Sequence, residues 1–181
     1  MEPAPTLPVP SDGKPQRWDV LFLILLVVSL LGAAYVGVLA YREGVKTETT
    51  KRTGETLMEW LADQAAERGT EAYPHVACAA RSGATWGACL SHVLGEGGPL
   101  QGQRNAFTGD AVRILGACGG GDRSVAGHMA LEVVTPLPPG AAVPFTVGPL
   151  LPQASIEQKV TLRVAVCELD GSAIRVGETD F

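Results

Sequence analysis

The chain has 181 residues, 14 basic against 19 acidic, and a formal net charge of −5. From Arg42 onward twelve basic residues face sixteen acidic ones, and no basic run is longer than Lys51-Arg52. Clustered positive charge for binding a phosphate backbone is missing, so nucleic acid is excluded as a partner.

Residues 1–17, MEPAPTLPVPSDGKPQR, carry five prolines and little that could pack, and they read as a disordered, proline-rich tail. Between Val20 and Tyr41 follows VLFLILLVVSLLGAAYVGVLAY, 22 residues without a charge. As a helix it would measure roughly 33 Å, enough to span a bilayer. A membrane helix over 18–41 is predicted, with the lipid bilayer as its solvent. A cleaved signal peptide cut after Ala40 is the rival reading, but the apolar run is longer than a signal core and few charges precede it. Ser29, Gly32, Ala33 and Gly37 are candidate helix-packing positions, because small residues let two helices approach closely.

Basic residues flank the run on both sides, Lys14 and Arg17 before it and Arg42, Lys46, Lys51 and Arg52 after it, so flanking charge does not set the orientation. The cysteines do: Cys78, Cys89, Cys118 and Cys167 all follow the apolar run. An even number in an anchored domain points to two disulfides in an oxidising compartment and an amino terminus in the cytoplasm. Four cysteines allow three pairings; Cys78 with Cys89 and Cys118 with Cys167 is the favoured one, the first closing a short loop, the second tying a glycine-rich bend to a strand.

Over 42–69 an amphipathic helix continues the span: Leu57, Trp60, Leu61 and Ala65 recur at helical spacing among charged neighbours, and Gly69 marks the stop. Residues 70–181 form the predicted head. Tyr73 to Thr108 reads as a long, glycine-rich connection with a short helical turn within Ala84–Leu94. Period-two alternation then predicts strands at Val112–Leu115, His128–Val134 and Ile156–Leu169. Asp170-Gly171 turns the last of these into Ala173–Val176. Between the second and third strands, TPLPPGAAVPFTVGPLLP is too rich in proline for a central strand and reads as an excursion covering one edge. Phe145, Val147, Leu150 and Leu151 would make it a partner surface if exposed. The fold class is α+β: a long transmembrane-to-amphipathic helix followed by a four-stranded antiparallel sheet.

This order of elements resembles the type IV pilins and the pseudopilins of type II secretion. At residue level the likeness rests on VVSLLGAAYVGVLAYREG, on Asn105-Ala106-Phe107-Thr108-Gly109, similar to the N-P-F-x-G turn before the pilin sheet, and on Cys118 with Cys167. The resemblance implies a bacterial inner-membrane protein with a periplasmic head, acting as a structural subunit or assembly accessory through contacts with other subunits, copies of itself included. A membrane-tethered periplasmic binding module for another complex is the alternative. Gln16-Arg17-Trp18-Asp19 lacks the glycine of a prepilin cleavage site, and no acidic residue lies between Val20 and Tyr41, so the implied protein is an unprocessed one.

No catalytic, cofactor or metal site is read from the chain. His75, His92 and His128 are scattered and form neither H-x-x-x-H nor H-E-x-x-H. His75-x-x-Cys78 would suit a metal only if Cys78 were reduced, and His128 reads as a partly exposed residue at a strand start. Gly119-Gly120-Gly121-Asp122-Arg123 lacks the lysine of a phosphate loop and reads as a bend, and no G-x-S-x-G elbow marks a serine nucleophile. The chain is therefore expected not to be an enzyme.

Overall fold

The computed structural model describes residues 17–181, so the expectation of a disordered tail over 1–17 lies outside the described residues except for Arg17, which begins a helix. The chain divides into two units between Glu43 and Gly44. In the first, residues 17–43 are helical and every side chain is exposed.

The helix α1 spans Arg17–Ala65, and its residues from Gly44 onward belong to the second unit. There, Thr50, Thr53, Gly54, Leu57 and Leu61 are buried. Each of these positions lies three or four from another, so they form one stripe along the helix. At Gly54 the helix approaches the sheet closely: a Cβ added there would lie 3.0 Å from Val176 Cγ2 and 3.1 Å from Val166 Cγ1. Leu57 and Leu61 share one core with Leu162, Val164 and Val166, with Met129 and Leu131, and with Trp86, Val93, Ile156 and Phe181. Each such leucine contributes about 2 kcal/mol through loss of water contact.

A 3-10 turn at Val76–Cys78 leads to α2, Trp86–Leu94. Thr85 caps α2 by accepting from the Ala88 N–H.

The sheet has five strands: β1 (Ile114–Leu115), β2 (Met129–Pro136), β3 (Phe145–Pro149), β4 (Thr161–Cys167) and β5 (Ala173–Asp180). It is mixed, which corrects the expectation of four antiparallel strands. β4 lies antiparallel between β2 and β5, whereas β1 pairs parallel with β2 through Ile114↔Met129 and Leu115↔Ala130. No tight turn joins β1 to β2. The intervening residues 116–128 supply the connection of about a dozen residues that a parallel pair needs.

β3 occupies the remainder of the same β2 edge, from Glu132↔Pro149 to Pro136↔Phe145. The proline-rich stretch is thus an edge strand as well as a cover. Its missing N–H groups are tolerated because only one side of it is paired. The long strand expected over Ile156–Leu169 is shorter: Ile156 is buried in the core but donates its N–H to Ala84 O, outside the ladder. The Asp170-Gly171 turn is present, with Gly171 at φ +78° and Ser172 N–H donating to Asp170 Oδ1 at 2.8 Å. β5 runs past the predicted Val176 to Asp180, because Glu178 is fixed by Arg163 of β4, with Nε and Nη2 each 2.8 Å from Oε1. A bulge opposite Val164 and Ala165 distorts β5, and prolines bound β3, so both outer edges are poor templates for a further strand.

Candidate functional surfaces

The apolar part of α1 has a mean hydropathy of 2.6 over an 18-residue window, and none of that window is buried. By length and composition it can cross a membrane. Trp18 and Tyr41 bracket it, the residue types that favour the two bilayer interfaces. Ser29, Gly32, Ala33 and Gly37 are all exposed on it. Ser29 Oγ donates to Leu26 O at 2.9 Å, and a Cβ at Gly32 or Gly37 would meet nothing within 4 Å. The other candidate packing residues, Leu57, Trp60 and Leu61, serve the head: the two leucines are fully buried and Trp60 packs at the core margin.

In the head, Cys78 is bonded to Cys89 and Cys118 to Cys167, and no described cysteine is free. The first bond joins the 3-10 turn to α2. Three residues before Cys78 stands His75, and three after Cys89 stands His92, so the two histidines flank the bond symmetrically. They meet: His75 Nδ1 and His92 Nε2 are 2.9 Å apart, with ring centroids separated by 4.9 Å. Trp60 packs edge-on to His75 at 5.6 Å and lies 6.5 Å from His92, and Tyr73 also meets His75 edge-on at 5.6 Å. The histidines scattered in sequence are therefore partly assembled by the fold. Burial, reinforced by His92, lowers the His75 pKa. The Tyr73 hydroxyl is buried without a hydrogen-bond partner, and its pKa is pushed up to about 12, mainly by burial, with Arg68 opposing. Among the described residues no three His, Cys, Asp or Glu side chains converge as metal ligands.

A second polar cluster surrounds Asn105, which is 1% exposed. Its Oδ1 accepts from Phe107 N–H at 2.8 Å and Thr108 N–H at 3.3 Å, forming the local turn, while its Nδ2 donates to Ala126 O at 2.7 Å. Gly127 must be glycine twice over, since φ is +73° and a Cβ would lie 2.1 Å from Asn105 Oδ1. His128 is buried beside it, which corrects its expected partial exposure. Its place in the chain between Gly127 and β2 puts the ring under Asn105, where Nδ1 accepts from Arg113 N–H at 3.2 Å.

Burial lowers the His128 pKa, Arg113 lowers it further, and Asp110 acts against them. The unfolded chain therefore takes up this proton first. The stabilisation is complete above about pH 6.5 and is lost as the pH falls through that value toward the lower folded pKa. Thermal unfolding followed by circular dichroism is expected to show a falling Tm from pH 7 to pH 5. His128→Gln should start lower and fall less steeply; equal slopes in the two proteins would rule out this source of acid sensitivity.

Arg68 is a third buried polar group, one that the amphipathic pattern gave no reason to single out. Its Nη1 donates to Ile156 O and its Nη2 to Gln158 O, and the guanidinium lies over the Phe181 ring at 4.6 Å. Desolvation lowers its pKa, but it serves as a clamp between the end of α1 and the strand β4 approach. A cleft of about 450 Å³ beside it is lined by Ala62, Ala65, Ala66 and Ala80 on α1 and the following loop and by Lys159, Asp180 and Phe181 across from them.

Of the four candidate partner residues, Phe145 and Leu151 are exposed, Val147 is half-buried, and Leu150 is not on the surface. Leu150 is in the core, and its N–H donates to Leu131 O at 3.1 Å. Arg163 lies 5.3 Å over the Phe145 ring. From Val133 to Ile156 there is no charged residue, so the segment itself is neutral as well as apolar, and the charge beside Phe145 comes from Arg163 of β4.

The chain matches no protein-family model, no curated protein and no solved structure.

Proposed function

We propose that this chain is a single-pass membrane protein of the bacterial inner membrane, pilin-like in plan, with a cytoplasmic amino terminus and a periplasmic head. It acts as a structural subunit or assembly accessory through protein contacts, self-contacts included, and without turnover. One observation carries this reading: a single helix supplies both a wholly exposed apolar stretch and, through Leu57 and Leu61, part of the core of a doubly disulfide-bonded domain. Exposed apolar surface of that length needs lipid, and two disulfides need an oxidising compartment.

The apolar hairpin surface favours a second reading, a tethered module that captures another protein through Val143, Phe145 and Leu151, all exposed. Crosslinking of the full chain in its membrane separates the two. A ladder of self-adducts is expected for the subunit, a single adduct with a different protein for the module, and a chain that crosslinks to neither defeats both. The compartment is tested separately with a phosphatase reporter fused after Phe181, which is expected to be active; a reporter active only in a cytoplasmic format would overturn the assignment.

A further inference from the structure

We propose that His75 and His92 form a two-imidazole site for a divalent transition metal, Cu(II) in the first instance, on the surface of the head. The argument starts from the sequence H-x-x-C and its mirror C-x-x-H, Cys78 being bonded to Cys89. The bond fixes the two backbones that carry the histidines. Trp60 and Tyr73 then limit where the rings can go. A pair of ligands held in this way loses little freedom on binding a metal, which is the condition for a preorganised site.

The 2.9 Å spacing is that of the N–H···N hydrogen bond in the metal-free pair and is also compatible with chelation, so the preference among ions comes from the imidazole donors. Two nitrogens at adjacent corners of a square-planar or tetragonal ion, each about 2.0 Å from it, are about 2.8 Å apart, and tetrahedral corners place them about 3.3 Å apart. Among first-row divalent ions Cu(II) takes imidazole nitrogen most readily. Both rings are half-exposed, so water completes the coordination. The third histidine offers no competing site, since His128 is buried and its Nδ1 accepts from Arg113 N–H.

Binding requires a lone pair on each facing nitrogen. In the metal-free pair one of these nitrogens carries the shared hydrogen. That hydrogen moves through solvent to the outer nitrogen of the same ring, His75 Nε2 or His92 Nδ1, and both rings stay neutral. No electron transfer is involved, and the Cys78–Cys89 bond remains oxidised.

The test is titration of the full chain in detergent, its disulfides intact by mass, with Cu(II) against a competing chelator, and electron paramagnetic resonance of the product. One Cu(II) per chain with two equatorial imidazole nitrogens is expected, together with at least about a tenfold loss of affinity in His75→Gln and in His92→Gln. Unchanged affinity in either variant overturns the proposal. So does a resonance from the unaltered chain showing one imidazole or none, a result that does not depend on how the variants fold.

Discussion

Replacing Cys118 and Cys167 by alanine is expected to lower the unfolding free energy of the head by about 4 kcal/mol, the larger of the two disulfide effects. The bond closes a sequence separation of 49, against 11 for Cys78–Cys89, and the chain-entropy cost released in the unfolded state rises with loop length, from about 3 kcal/mol for the short loop to about 4 for the long one. Position adds to length. The long loop contains all but the first two residues of the 116–128 connection, which returns to the sheet at Gly127 N–H donating to Cys167 O and Cys167 N–H donating to His128 O, both at 2.9 Å. Cys167 also packs with Ala130 and Ala165, against Leu115, Cys118 and Val125. Alanine is the better probe than serine there, because a serine hydroxyl at the buried Cys167 position would need a partner. Urea unfolding under oxidising conditions should place the Cys118→Ala/Cys167→Ala chain about 1 kcal/mol below Cys78→Ala/Cys89→Ala. The reverse order would mean that the 116–128 segment keeps its place without its bond.

What the sequence makes legible here is what depends on near neighbours. Twenty-two uncharged residues announce a helix long and apolar enough to cross a membrane, Leu57 and Leu61 announce a helix face, and Asp170-Gly171 announces a turn, because each signal is complete within a few residues. The parallel direction of β1 was not legible, since it is decided by the route of residues 116–128, and not by any property of Ile114 or Leu115. β3 was hidden for a different reason: Pro144 and Pro149 argue against a strand, but only against a strand paired on both sides, and pairing is a property of the sheet. The polar clusters are the extreme case. His75 and His92, Asn105 and His128, and Arg68 with Ile156 O meet across 17 to 88 positions. The first pair alone left a trace, the mirrored spacing around Cys78 and Cys89, and reading it required knowing that those two cysteines are bonded.

Asn105→Ala is expected to cost about 3 kcal/mol, a large effect for an uncharged side chain. The amide does two jobs with opposite polarity. Its oxygen holds the Phe107 and Thr108 N–H groups, and its nitrogen reaches across to the Ala126 carbonyl. Alanine removes both; with Ala126 buried its carbonyl cannot turn to water and carries about 1–3 kcal/mol of desolvation, and the lost bonds to Phe107 and Thr108 N–H add about 1 kcal/mol more. Asn105→Asp separates the jobs. An aspartate oxygen still accepts from Phe107 and Thr108, but only the protonated acid can donate to Ala126 O. Burial at this position and the need to donate to Ala126 O raise the folded pKa of the new carboxyl above its unfolded value near 4, against the pull of the Phe107 and Thr108 N–H groups, which favour the charged form. The neutral form is then the stable one, present at low pH and lost as the pH rises through the folded pKa. Measured against the unaltered chain at each pH by urea unfolding, the deficit of Asn105→Asp should widen from pH 4 to pH 7, while that of Asn105→Ala changes little. A deficit for Asn105→Asp that stays constant over that range would show that the donor bond to Ala126 is dispensable.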